Sequence, residues 1–144
     1  MPSVSSPTPF KAFTLALIQL GNIGSNKAEN LRHAREMILR AASGQGRSKR
    51  PDLIVLPVRL SLLRVSAVII LRLKECFNSP YGHTHFPNYA ENIGFHPGKA
   101  YDVGKSTSES VKMLSSAAKE ASTWLVGGRS RICSQLALFL MFCF

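Results

Sequence analysis

The stretch KECFNSPYGHTHF, residues 74–86, sets a cation, a carboxylate and a thiol side by side and follows them with two histidines. Glu75 is the residue that could do acid–base work, provided something holds it within hydrogen-bond reach of the proton it takes. Lys74 is not its partner, because neighbouring side chains on an extended segment point to opposite sides. Taken without context, Glu75 reads as a solvated loop carboxylate. His83 and His85 stand two apart in a loop, and a metal would require more ligands than this pair, so hydrogen-bonded or solvated rings are expected and no metal. Phe77, Tyr81 and Phe86 could line the mouth of a pocket, with aromatic packing inside the loop as the plainer reading.

Such a loop needs elements on both sides to position it. Upstream, FTLALIQL (13–20) is a compact apolar run that fits a buried strand. After the turn GNIGSN, residues 26–43 read as a helix. Asn26 and Glu29 have capping-box spacing, Ala28, Leu31, Ala34, Ile38 and Ala41/Ala42 mark an apolar face, and Gly44 supplies the stop. A basic connector, GQGRSKRP, leads to a second strand, DLIVLP (52–57). Strand, helix and strand in this order predict a right-handed parallel βαβ unit. Downstream, residues 75–106 are rich in Pro and Gly and form a long loop region, the kind that is usually functional in a small domain. A second helix is predicted over 107–122, capped by Ser106 and Glu109, with Val111, Leu114, Ala117/Ala118 and Ala121 buried, and TWLVGG (123–128) is the next strand. The fold class is α/β, in the order β-α-β-loop-α-β.

The 144 residues allow one domain, at 45% hydrophobic and 18% charged. A net charge of +10 would ordinarily invite a nucleic-acid or membrane partner. Residues 58–74 hold +4 of it (Arg59, Arg64, Arg72, Lys74) and residues 129–144 a further +2, which leaves an ordinary balance elsewhere. No aromatic residues interleave with these arginines, so neither a nucleic-acid nor a membrane partner is expected. Three cysteines without C-x-x-C spacing argue for a reducing compartment, cytoplasmic with mitochondrial as the alternative. Residues 1–10, MPSVSSPTPF, are expected to form a loose tail.

The ordered set ALIQL, DLIVLP, ECFNSPYG, FPNYAE and TWLVGG resembles the first half of a nitrilase-superfamily carbon–nitrogen hydrolase, in its ω-amidase-like branch, over residues 11–128. The resemblance implies the first half of an αββα sandwich, no cofactor, and a Glu-Lys-Cys triad. In such a triad the thiol attacks the amide carbon, the glutamate acts as general base, and the lysine stabilises the oxyanion. Glu75 matches the general base, and Cys76 matches a cysteine that the loop carries beside it, not the nucleophile. Phe77 and Tyr81 are the candidate substrate-binding residues. The Lys and Cys motifs, of the R-K-x-H-L and C-Y-D-x-R-F kind, do not occur in these residues.

Where the family runs L-P-E, this chain sets VRLSLLRVSAVIILRLK (58–74) between Pro57 and Glu75, and deleting it restores LPECFNSPYG. Eleven of its 17 residues are aliphatic, and VSAVIIL is a β-prone, Pro-free heptamer. Its first residue, Val, has GT-initial codons and its last, Lys, can be encoded AAG, the boundary letters of an intron. The segment is either a genuine inserted element or a translated intron, and a genomic sequence without GT and AG at these edges would exclude the second. Residues 129–144, ending in LALFLMFCF, depart from the family and are too short to span a bilayer.

A complete protein of this kind would hydrolyse the terminal amide of a small dicarboxylate monoamide such as α-ketoglutaramate, with a homodimer among its expected states. The chain as written keeps one triad member and is expected to be inactive. The alternative is a non-catalytic fragment that binds a full-length paralogue or another protein through an open sheet edge.

Overall fold

The computed structural model describes residues 11–21, 23–44, 49–56, 76–80, 82, 84–94, 96, 98–131 and 137–142. The segment 58–74 lies outside the described residues. The elements run β1 (Leu15–Leu17), α1 (Lys27–Ala42), β2 (Leu53–Val55), a short α2 (Phe86–Tyr89), a 3-10 turn (Val103–Lys105), α3 (Glu109–Ala121), β3 (Trp124–Arg131) and β4 (Ala137–Phe142). β1, β2 and β3 are parallel and in register, Leu15 opposite Leu53 and Leu53 opposite Trp124. The chain is therefore α/β, with a three-stranded parallel sheet and two long helices, as the order of apolar runs predicts.

Each helix is framed by its own chemistry. The Asn26 side chain accepts from the Glu29 amide, and Gly44 at φ 65° closes the far end of α1 with its amide on the Ala41 carbonyl. Ala28, expected on the apolar face, is exposed, and Asn30 is buried in its stead. The start of α3 also differs from expectation: Ser108 is its N-cap, accepting from the Val111 amide, while Ser106 receives the Ser108 amide one turn earlier. Glu109 is thus the first helical residue and pairs with the Lys27 ammonium, the Ser106 amide donates to the Val103 carbonyl, and Glu91, arriving from the loop, accepts from the Glu109 and Ser110 amides. At the other end of α3, Arg50 of the basic connector donates to the Ala121 and Ser122 carbonyls, and Ser122 takes a left-handed φ of 46°.

Both helices lie on one face of the sheet. Ala34 and Ile38 of α1 and Val111, Leu114, Ala117 and Ala118 of α3 form the core with Ile54 and Leu125, all but inaccessible to solvent. Gly127 of β3 is required by this contact, since a Cβ there would stand 2.3 Å from a Leu114 methyl. On the opposite face, Leu53 and Val55 are half-buried and four large apolar side chains among the described residues are exposed. Phe13 is 66% exposed, Leu15 45%, Leu17 74% and Trp124 42%.

The third strand and the tail depart from the sequence reading. β3 continues past Gly128 to Arg131, and β4 turns back antiparallel beside it, Ser130 opposite Leu138 and Val126 opposite Met141. The apolar run ALFLMF thus places its backbone groups on the edge that β3 would otherwise leave open. No helix among the described residues is long and apolar enough to cross a membrane.

Candidate functional site

In a parallel βαβ arrangement the helix N-termini and the carboxyl ends of the strands share one edge, the edge at which α/β folds usually carry their chemistry. Here that edge gathers Leu56, the N-termini of α1 and α3, and the loop that starts at Cys76. Three sets of bonds fasten the loop to the helices. Asn30, buried on the first turn of α1, accepts from the Gly24 amide and donates to the carbonyls of Gly24 and, at 3.4 Å, Asn78. The Asn78 side chain reaches the Ser110 hydroxyl of α3. Farther along, the Tyr89 hydroxyl donates to the Ser25 carbonyl at 2.5 Å.

Glu91 is the strongest of these ties. Its carboxylate accepts from the Glu109 amide at 2.9 Å, the Ser108 hydroxyl at 3.1 Å and the Lys27 ammonium at 2.8 Å. Only 10% of the side chain is accessible. Burial alone would raise its pKa; the Lys27 ammonium and the Ser110 hydrogen bonds outweigh burial and hold it below the ordinary carboxylate range. Lys27 is the mirror case. Burial would lower it, yet Glu91 and Glu109, the latter at 3.1 Å, leave it above its usual value. The pair is therefore charged at neutral pH and sits on the positive end of the α3 dipole. Sequence reading passed over Glu91, although FPNYAE carried it; a carboxylate 18 residues before a helix start gives no local signal of capping.

The residues singled out from sequence fall unevenly on this frame. Glu75 and Tyr81 lie outside the described residues, as does His83. Phe77 is packed into the hydrophobic core at 7% exposure, the aromatic-packing alternative for that residue. Cys76 is half-buried; burial pushes its thiol up, only partly offset by a hydrogen bond with Ser79, so at neutral pH it is a thiol and not a thiolate. His85 is exposed at the head of α2. No three His, Cys, Asp or Glu side chains among the described residues are grouped so as to hold a metal. A shallow hollow of about 330 Å³ is lined by Asn92, Ile93, Tyr101, Asp102, Lys105 and Ser106 among others, and none of its lining belongs to 76–80.

What the described atoms can do chemically is hold a loop still. They fasten the segment from Cys76 onward to the first turns of α1 and α3.

No family model matches the chain. Individual proteins do. A Mus musculus protein named Omega-amidase NIT2 is 40% identical over 116 residues, 81% of this chain and 29% of the relative. The Homo sapiens Omega-amidase NIT2 is 39% identical over 117 residues, again 81% and 29%. A Schizosaccharomyces pombe protein described as a hydrolase is 36% identical over 122 residues, 85% of this chain and 27% of its own. The chain thus spans less than a third of the length of the curated relatives it matches. Across most of its own length the chain therefore shows a nitrilase-superfamily, NIT2-like relationship.

Proposed function

We propose that residues 11–128 are part of a carbon–nitrogen hydrolase domain whose whole form cleaves the terminal amide of a small dicarboxylate monoamide, with Glu75 as general base. The observation that carries this reading is the match to proteins named omega-amidase across 81% of the chain. The fastening of the 76–94 loop to both helix N-termini supports it, because a general base has to be aimed to within about half an ångström.

These 144 residues do not catalyse the reaction by themselves. Neither the lysine nor the cysteine motif of the triad occurs in them, and without the nucleophile the covalent route is closed. Residues 58–74 stand directly before Glu75 and separate it from the strand that would aim it; we read them as a translated intron. The purified chain incubated with α-ketoglutaramate is expected to release no ammonia above a buffer blank, and release sensitive to Glu75→Gln would overturn the inactive reading. Reverse transcription and sequencing across codons 50–128 tests the intron. A message joining Pro57 to Glu75 supports it, and genomic edges lacking GT and AG dismiss it.

The second reading, a fragment that binds a protein partner in place of catalysis, draws on a separate observation: the uncovered apolar face of the sheet.

A further inference from the structure

The loop that starts at Cys76 is held in two different ways along its length. Upstream, Phe77 and Ser79 are buried against the body of the fold, and Asn78 is tied to Asn30 and Ser110. Downstream, Ile93 returns the chain to the core. Of the described side chains from 84 to 92, none belongs to that core. The helix within this stretch, α2, is a single turn of four residues without a side-chain cap, too short to stand by itself. What fastens the stretch is polar. The Tyr89 hydroxyl donates to the Ser25 carbonyl, and the Glu91 carboxylate accepts from Lys27 of α1 and from Ser108, Glu109 and Ser110 at the start of α3.

We infer that residues 84–92 form a strap that opens as a unit of its own when Glu91 releases the two helices, while the helices and sheet beneath it stay folded. A region fastened by hydrogen bonds and an ion pair, with little apolar burial, opens at a fraction of the free energy of global unfolding. One carboxylate serves both helices, since Lys27 begins α1 and Ser108 caps α3, so its release frees the strap from both at once. The bonds of Asn78 to Asn30 and Ser110 lie on the Cys76 side of the strap and do not involve Glu91, so that root stays fixed. At the other root Gly94 stands at φ 73°, where a residue without a Cβ turns at no steric cost. The strap stands apart from the amidase reading, because no property of Glu75 enters.

The charges that face Glu91 are Lys27 from α1 and, across that lysine, Glu109 from α3. The Lys27 ammonium lies 2.8 Å from Glu91 and 3.1 Å from Glu109, so it keeps two carboxylates together at one helix end. Removing it leaves like charges as neighbours and should loosen the strap. The exposed pair of Arg32 and Glu36 on α1 has no part in this latch.

Tyr89 makes the strap its own reporter, because chymotrypsin cuts after an accessible tyrosine and the bond to Ala90 lies within the strap. The test is limited chymotrypsin digestion of the full chain near neutral pH, with the cuts located by mass spectrometry. Each rate is divided by that of the same bond in a free peptide of residues 84–94, wild type or variant. In the wild type the Tyr89–Ala90 bond should be cut faster than the bonds after Leu31 and Leu39 of α1. Its rate should also depend little on urea up to about 1 M, the mark of a local opening. Glu91→Ala should raise cleavage after residue 89 by roughly tenfold, and Lys27→Met and Tyr89→Phe by about threefold each, with the α1 bonds and the far-ultraviolet circular dichroism unchanged. Glu36→Gln serves as control and should leave the strap closed. Three results would overturn the proposal. The first is equal rates in the strap and in α1 of the wild type. The second is strap cleavage that Glu91→Ala leaves unchanged. The third is a rise that α1 shares to the same degree in both Glu91→Ala and Tyr89→Phe, which would make these ties part of the general stability of the fold.

Discussion

The two faces of the sheet are made of similar residues and stand in opposite surroundings. Ile54 and Leu125 are sealed under α1 and α3, whereas Leu17 and Trp124, one position away in the chain from a helix-facing neighbour, meet solvent. Hydrophobicity alone therefore does not decide which side of a strand is buried. The helices decide it, and they are held on their side by polar ties at their ends. Burial on the helix side is worth several kilocalories per large side chain, while the same atoms on the other side contribute little until something covers them.

Substitutions that separate the two faces make the contrast measurable. Ile54→Ala should be the most damaging, destabilising the fold by about 2–4 kcal/mol in a urea titration through loss of a fully buried side chain. Leu17→Ser on the other face should change monomer stability by less than about 0.5 kcal/mol, and a large effect there would mean that the face is already covered. Next comes Gly127→Ala, expected to cost about 1–3 kcal/mol because the new methyl collides with Leu114; pairing it with Leu114→Ala should recover part of the loss.

Glu91→Gln should cost about 1–2 kcal/mol near neutral pH, by weakening the tie between the loop, Lys27 and α3. The sign of its pH dependence follows from the direction of the shift. A carboxylate held below its unfolded value stabilises the fold above that value, near 4.3, and the contribution is lost as pH falls through the lower folded value. Wild type and variant should therefore converge in stability as the solution is acidified below about pH 4. A gap that stayed constant would show that the bonds, not the charge, hold the loop. The smallest effect is expected at Ser122, where replacing a left-handed serine by glycine should stabilise by about 0.5 kcal/mol.

These comparisons also mark what the sequence could disclose. The stripe Val111, Leu114, Ala117, Ala118, Ala121 emerged whole because helical periodicity is a local signal, and all five residues are buried. The strands were equally legible as apolar runs, but a run such as FTLALIQL announces two buried faces and not which of them the same chain covers. Ala28 and the cap of α3 were misread for a related reason. Asn30 and Glu91 are fixed by partners 48 and 18 residues away, Asn78 and Glu109, and no window along the helix contains those partners. The motif around Glu75 is legible only through family resemblance, whereas the network that anchors residues 76–94 to the two helices is visible only in three dimensions.

The ties of Asn30 to Asn78 and of Lys27 to Glu91 straddle residues 58–74, joining helix α1 upstream to the loop and α3 downstream. Such a bracket fixes where the chain re-enters the fold without fixing how much chain lies between. Loop-closure entropy grows only with the logarithm of length, so 17 residues more or fewer at that point change the folding free energy by of order 2 kcal/mol. A general base tolerates no comparable slack in position. A chain with or without this segment can therefore keep the same architecture while differing in its chemistry, and a folded product is no guide to an active one.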